Sequence, residues 1–184
     1  MRIGIDILFW IPDAMGGSQT YSEELIRALA ELDGGDEYVV FLNAEGARRF
    51  VPPSSRFRGQ ACPVSGRSLL LRMLWEHLIL PIQVQRLGID VLHGLGYIGP
   101  LVTPAKQVVT VLDMIHYVFP QDIEPPKRQL WRVLFPLSLR RADRVIACSE
   151  SVKQEIGRFF PWALAKTVVI PLAVDRSVFN PGPT

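Results

Sequence analysis

Residues 3–32 read IGIDILFWIPDAMGGSQTYSEELIRALAEL, and this stretch decides the fold class. Its first seven residues are apolar except for Asp6, which is the pattern of a strand covered on both faces. After the pair Gly16-Gly17, apolar residues recur at helical spacing. Thr20 and Glu23 have the spacing of a capping box, which predicts that the helix begins there. A buried strand, a glycine turn and an amphipathic helix open an alternating α/β fold.

Strand and helix patterns continue to alternate along the rest of the chain. Further strands are predicted at 38–42, 89–93, 107–112, 144–148 and 167–170, with a short one at 57–62. Further helices are predicted at 69–87 with a bend at Pro81, at 127–142, and at 151–160 with Ser151 and Gln154 as its cap. This order predicts an α/β domain over residues 1–170, a Rossmann-like parallel sheet with helices on both faces. Residues 171–184 have the composition of an interdomain linker.

The overall composition is that of a folded domain. The 184 residues are 48% hydrophobic and 21% charged, which excludes a disordered chain. A net charge of +2, from 20 basic and 18 acidic residues, is too small for a dedicated nucleic-acid binder. The two cysteines, Cys62 and Cys148, lie far apart, so no disulfide framework is expected and a reducing, cytoplasmic compartment fits.

The most apolar part of the chain, residues 69–84, is interrupted by Arg72, Glu76 and His77. An arginine near the bilayer centre costs ~2.5–3.5 kcal/mol, so this stretch predicts a buried or interfacial amphipathic helix instead of a membrane span. Arginines are dense just before it. Such a cluster is either a solvated face or a contact for anionic lipid headgroups or a phosphorylated acceptor.

Four loops leave the carboxyl ends of predicted strands, where open parallel sheets bind ligands. The first carries Gly16-Gly17, which is either a tight turn or a helix N-terminus that approaches a phosphate closely. Two others carry His93 and the pair Asp113 and His116. Histidine can hydrogen-bond a substrate hydroxyl and aspartate can orient it, although caps and surface imidazoles look the same in a sequence. The fourth carries Ser149-Glu150, whose alternative role is to cap the next helix.

Gly94, Gly96 and Gly99 match the G-x-G-x-x-G pattern of dinucleotide binding. That motif needs a helix directly afterwards, and Pro100 and Pro104 oppose one. No acidic residue stands at the expected offset of about 20 residues. The pattern is therefore interpreted as a loop and not as an NAD site.

Seven stretches together resemble the N-terminal half of the retaining glycosyltransferases of family 4, which have the two-domain GT-B architecture. They follow the family order nearly end to end: MRIGID at 1–6, GGSQTY at 16–21, WEHLILP at 75–81, DVLH at 90–93, VTVLDMIH at 109–116, ADRVIACS at 142–149 and VIPLAVD at 169–175. The Asp-Met-Ile-His form at 113–116 is most similar to mannosyltransferase-type members that build surface polysaccharides.

The resemblance implies roles for the rim residues. Gly16 and Gly17 would bind the donor phosphates. His116 with Asp113 would be the catalytic pair near the transferred sugar. A third set of residues would line the acceptor cleft. These are His93, Ser149 and Glu150. The implied donor is a nucleotide-sugar, with GDP-mannose as the first candidate. No other cofactor is expected, and no metal, because a DxD motif is missing.

The implied function is transfer of a hexose, with retention, to a glycan or lipid-linked acceptor, with peripheral contact at the inner membrane surface. The donor-binding C-terminal domain, which carries the family's Glu-x7-Glu motif, is absent from the 184 residues. Two matches to that spacing, Glu23/Glu31 and Glu37/Glu45, are attributed to composition. We therefore expect turnover only from the full-length protein. Two alternatives are a non-catalytic binding module and a stand-alone nucleotide-binding protein of the same fold.

Overall fold

A computed structural model describes residues 1–13 and 16–174. Its centre is one sheet in which all neighbouring strands are parallel, in the order β3-β2-β1-β4-β5-β6-β7. The strands are β1 (Arg2–Asp6), β2 (Glu37–Leu42), β3 (Phe57–Ala61), β4 (Val91–Gly94), β5 (Lys106–Val111), β6 (Arg144–Ala147) and β7 (Thr167–Val169). The Rossmann-like fold predicted from the sequence is confirmed.

Helices connect the strands and cover both faces of the sheet. They are α1 (Gly17–Glu31), α2 (Ala44–Ala47), α3 (Leu69–Leu78), α4 (Leu80–Arg86), α5 (Ile115–Val118), α6 (Pro125–Arg141) and α7 (Glu150–Phe159), with 3-10 turns at Pro120–Asp122 and Pro161–Lys166. Within the described ranges, no helix combines the length and the apolar character that crossing a bilayer requires.

The pleat of β2 explains its unbroken apolar sequence. Val39 and Phe41 pack on one face with α4, whereas Val40 and Leu42 pack on the other face with α1. Successive side chains of a strand point to opposite faces, so a strand covered on both sides needs apolar residues at every position. A third cluster, which includes Val109, joins β5 and β6 to α6 and α7.

Two predicted helix caps are wrong, and α6 begins at Pro125, two residues before its predicted start. Helix α1 begins at Gly17, not at Thr20, because the backbone N–H groups of Gln19 and Thr20 already donate to the carbonyl of Gly16. Glu23 does not complete a capping box; it accepts a hydrogen bond from Trp10 Nε1 at 2.9 Å. The Trp10 indole N–H thus takes the Glu23 carboxylate that a capping box would have used.

Helix α7 begins at Glu150, and its cap is Ser149, not Ser151. Ser149 has extended backbone angles, and its Oγ accepts a hydrogen bond from Val152 N–H at 3.2 Å. The predicted bend in the 69–87 stretch is confirmed, because α3 and α4 are separated at Ile79, just before Pro81.

Asn43 is a structural residue that the sequence did not single out. Its buried side chain caps α2 through a 2.6 Å bond from Gly46 N–H to Oδ1. Its Nδ2 donates to the carbonyls of Leu8 at 2.9 Å and Trp10 at 2.5 Å. One amide thereby ties the segment that leaves β1 to the end of β2.

Substitution Asn43→Ala should lower the free energy of unfolding by roughly 2–4 kcal/mol, because a cap is lost and buried carbonyls lose their donor. Chemical denaturation measures this change. The matched control is Ser149→Ala, which removes a cap alone and should cost about 1 kcal/mol. Equal losses for the two variants would contradict the bridging role of Asn43.

Candidate functional site

The parallel sheet brings the predicted site residues to one edge. The segments after β1, β5 and β6 leave the same carboxyl edge and carry most of the candidate residues, whereas His93 lies within β4, one residue before the end of that strand. These are Gly16, Gly17, His93, Asp113, His116, Ser149 and Glu150. We call this edge the rim.

The N-terminus of α1 is open at the rim. Its cap is Gly16, and neither a capping side chain nor an acidic first-turn residue serves it among the described residues. A side-chain carbon added at Gly16 or Gly17 would meet no atom within 4 Å. The first N–H groups of a helix and its dipole attract anions. Space and electrostatics at this end of α1 therefore suit an anionic ligand.

A polar contact joins α1 to β4 and β5 close to this end. His93 Nε2 lies 2.8 Å from Thr110 Oγ1, and the Tyr21 hydroxyl lies 3.4 Å from the same oxygen. Burial lowers the pKa of His93 to about 4, so the imidazole is neutral at physiological pH. The ring is held in place, and one of its nitrogens is already used within the domain.

A second cluster, which we call the α5 cluster, lies where β5 leads into α5 and consists of Tyr97, Asp113, His116 and Trp131. Asp113 accepts hydrogen bonds from the Tyr97 hydroxyl at 2.6 Å and from Ile115 N–H at 3.0 Å. His116 stacks on Trp131 with ring centroids 3.8 Å apart and planes 12° from parallel. Tyr97 packs edge-on against Trp131 at 5.3 Å. Asp113 thus anchors the start of α5, and the two aromatic rings fix the place of His116.

The electrostatics of His116 favour the neutral ring. Burial lowers its pKa first, the charge of Lys127 lowers it further, and Asp113 opposes both. Its Nε2 is buried and has no hydrogen-bond partner within the part of the chain that the structure describes. Buried polar atoms are normally paired, and the enclosed space that Tyr97, His116 and Trp131 line has no room for a water, so Nε2 can gain a partner only if these side chains move.

Ser149 and Glu150 occupy the start of α7. The Ser149 oxygen accepts the capping bond, which leaves its O–H free to donate. Glu150 is exposed in the first turn, where a carboxylate complements the helix dipole. The N-terminus of α7 is therefore already capped by the Ser149 hydroxyl and has the Glu150 carboxylate in its first turn, in contrast to the uncapped N-terminus of α1.

The crevice between β1 and β4, where the strand order reverses, is closed. Such switch points are where open α/β sheets usually bind ligands. Here the remaining cavity of about 10 Å³ is no larger than one water. Phe9, Arg72 and Glu76 fill the space beside Asp6, and α3 thus covers the crevice.

Two carboxyl groups are buried at this closed crevice with one arginine. Arg72 Nε lies 3.8 Å from Glu76 Oε1, and Asp6 accepts a bond from Leu8 N–H at 3.1 Å. Burial raises the pKa of Asp6 to about 6, against the attraction of Leu8 N–H and Arg72. Burial and the nearby Asp6 raise the pKa of Glu76 as well.

The segment of the G-x-G-x-x-G pattern is a loop between β4 and β5, as predicted. Close packing explains two of its glycines. A side-chain carbon at Gly96 would lie 2.6 Å from the Phe9 ring, and one at Gly99 would collide with Gln107. Tyr97 adopts a left-handed conformation with φ 69°. This uncommon backbone directs the tyrosine toward Asp113.

The family model for "Glycosyltransferase Family 4" matches residues 15–178. The chain belongs to glycosyltransferase family 4. Across the described residues, no three histidine, cysteine, aspartate or glutamate side chains gather as a metal site would require. A search of curated proteins gave no significant match.

Solved structures agree with this family 4 fold. A glycosyltransferase from Rickettsia africae ESF-5 superposes with a TM-score of 0.59 at 16% identity and covers 100% of this chain. A lipopolysaccharide outer core galactosyltransferase, WaaB, in its apo form superposes with a TM-score of 0.53 at 11% identity and covers 95% of this chain. The chain spans 46% of the length of each structure.

Sequence reasoning missed Tyr97, Thr110 and Trp131. Tyr97 carried one usable signal, an aromatic residue between glycines after a strand. Thr110 lies inside an apolar strand and Trp131 on the buried face of α6, so nothing local separates them from ordinary core residues. Only the approach of β4, β5 and α6 places them beside the predicted histidines.

Stability should fall as pH rises from about 4 to 7. Asp6 and Glu76 keep protons in the folded state that the unfolded chain has released, so their contribution is present at low pH and is lost as pH rises through their folded pKa values. The change in pKa of Asp6 corresponds to roughly 3 kcal/mol. Denaturation measured at several pH values from about 4 to 7 gives the slope.

Substitution Glu76→Gln should make that decline shallower, because one of the two buried titrating groups is removed. The matched control is Glu31→Gln, which changes an exposed glutamate at the end of α1 and should leave the slope unchanged. Identical slopes for wild type and Glu76→Gln would show that this buried carboxyl does not titrate in that range.

Proposed function

We propose that the full-length protein transfers a hexose from a nucleotide-sugar to a glycan or lipid-linked acceptor, with retention, and that this chain is its acceptor-side domain. The observation that carries the proposal is an open helix N-terminus and a neutral, positioned histidine on one rim of a family 4 fold. A second α/β domain, joined through the segment that begins at residue 171, would bind the donor nucleotide.

The closed crevice supports this division of labour. A nucleoside needs a cavity far larger than the space left beside Asp6. The same closure argues against a nucleoside bound at the β1/β4 switch point of this domain. A donor that meets this domain only with its diphosphate and sugar has no need of the crevice.

The donor diphosphate would lie at Gly16 and Gly17. Negative charge grows on its oxygens as the glycosidic bond breaks, and preorganised N–H groups stabilise that charge. The open space over both glycines lets an oxygen approach the backbone, and Arg49 lines the groove beside Gly16. Asp13 and Glu23 line the same groove, and Arg49 pairs with Asp13 at 3.3 Å, so the positive potential for the leaving group would come from the free N–H groups and the dipole of α1.

The transferred sugar would lie against His116. A neutral imidazole can donate or accept one hydrogen bond with a sugar hydroxyl, and stacking on Trp131 fixes its direction. Asp113 would act on the same step by holding α5 in place through Tyr97 and Ile115. The acceptor would approach from the side of His93, Ser149 and Glu150.

Mannose is the first donor sugar to test, because the Asp-Met-Ile-His sequence resembles mannosyltransferase-type members. A screen of nucleotide-sugars on the full-length protein, read by product mass and starting with GDP-mannose, identifies the donor. Anomeric configuration of the product, read by NMR, tests retention. Absence of transfer from every donor would favour a non-catalytic binding module.

Substitution Gly17→Val should reduce transfer by the full-length enzyme at least 100-fold, because the branched side chain blocks the approach of the phosphates. The fold should be kept, since the added atoms meet open space. The control is Gly35→Val, a site equally open but at the opposite edge of the sheet. Wild-type transfer by Gly17→Val would remove the phosphate role.

Substitution His116→Ala should lower kcat more than it raises the KM for the acceptor, because the sugar contact strengthens as the bond breaks. The control is His77→Ala, which removes another partly buried histidine away from the α5 cluster and should leave kcat unchanged. An unchanged kcat for His116→Ala, measured at saturating donor, would make His116 a structural residue.

A further inference from the structure

Helix α3 has the reverse of the usual polarity of a surface helix, because its charged side chains face the interior and its apolar side chains face outward. Its charged residues point inward, with Arg72 12% and Glu76 5% exposed at the side chain. Its leucines point outward, with Leu70 66% and Leu78 62% exposed. The rotation is set by the interior, where Glu76 and Met73 pack beneath the helix.

The exposed apolar surface continues into α4. We define the leucine face as the six large aliphatic residues exposed along the two helices. These are Leu70, Leu71, Leu74, Leu78, Ile79 and Ile82. Leu70, Leu74 and Leu78 follow a spacing of four within α3, which aligns them along one side of that helix. An exposed apolar surface of this kind marks a contact with a partner or with a membrane.

The charge around the leucine face is of one sign. Residues 51–88 contain five arginines and a single acidic residue, Glu76, which is buried. Arg67 before α3 and Arg86 at the end of α4 are exposed at the two ends of the face. Arg58 is exposed on the neighbouring strand β3. The surface therefore joins aliphatic side chains to uncompensated positive charge.

We propose that the leucine face docks the protein on a bilayer that contains anionic lipid, with α3 and α4 lying in the plane of the interface. Aliphatic side chains with flanking arginines suit acyl chains below phosphate headgroups. A protein partner is less well matched, because the six residues of the leucine face are all aliphatic and include no aromatic anchor. The proposal deepens the proposed function, since α3 covers the rim crevice and would bring that edge close to a lipid-linked acceptor.

The test is sedimentation of the full-length protein with vesicles of phosphatidylcholine alone or with phosphatidylglycerol. Wild type should bind the anionic vesicles, and binding should weaken as salt rises. The double variant Leu74→Ser/Leu78→Ser should lower the partition coefficient at least tenfold. Arg67→Gln/Arg86→Gln should lower it for anionic vesicles only.

The matched control is Leu32→Ser/Val102→Ser, which changes two residues that are 60% and 72% exposed elsewhere on the domain. It should bind vesicles like wild type. Circular dichroism and thermal unfolding check that all variants remain folded. No vesicle binding by wild type, or an equal loss in the control, would overturn the proposal.

Two further readouts separate this proposal from its rivals. Light scattering that finds a wild-type dimer, converted to a monomer by Leu74→Ser/Leu78→Ser, would assign the face to a second copy and overturn membrane docking. Transfer to a water-soluble acceptor by the same variant should match wild type. Vesicle binding without any transfer would support docking and contradict the proposed function, whereas transfer without vesicle binding would do the reverse.

Discussion

Parallel pairing of β1 with β2 and β4 is the constraint on which the rest of this structure depends. Because every strand runs in the same direction, every strand-to-helix segment leaves the sheet at one edge. The open terminus of α1, the paired His93 and the α5 cluster are therefore neighbours on one rim although they are far apart in sequence. A single antiparallel strand would have sent one of these groups to the opposite end of the domain.

Closure of the crevice links the site to the outer surface. Asp6, Arg72 and Glu76 line the small closed space that α3 covers at the reversal in strand order. Arg72 and Glu76 face inward on α3, so the leucines of that helix face outward. One packing arrangement thus fills the switch point of the sheet and creates an exposed apolar surface.

Sequence and structure differ most at the α5 cluster. His116 could be selected from the sequence because a histidine after a buried strand is unusual in position and chemistry. Its supports could not be selected, since Trp131 lies 15 residues away on α6 and reads as a core aromatic. Tyr97 reaches Asp113 only through a left-handed backbone conformation. Ser149 illustrates the converse case: a residue with two plausible roles has its oxygen engaged as a helix cap.

The sequence by itself determined the alternating elements, the parallel sheet, the shared rim and the membership suggested by its motifs, because hydrophobic periodicity and glycine turns are local signals. Helix starts at Gly17 and Glu150, the closed crevice and the outward leucines were decided only by tertiary structure. In the 69–87 stretch the apolar pattern showed that a helix would form but not which side would be buried. That choice depended on the packing of Met73 and Glu76 against the space beside Asp6, which is a property of the assembled sheet.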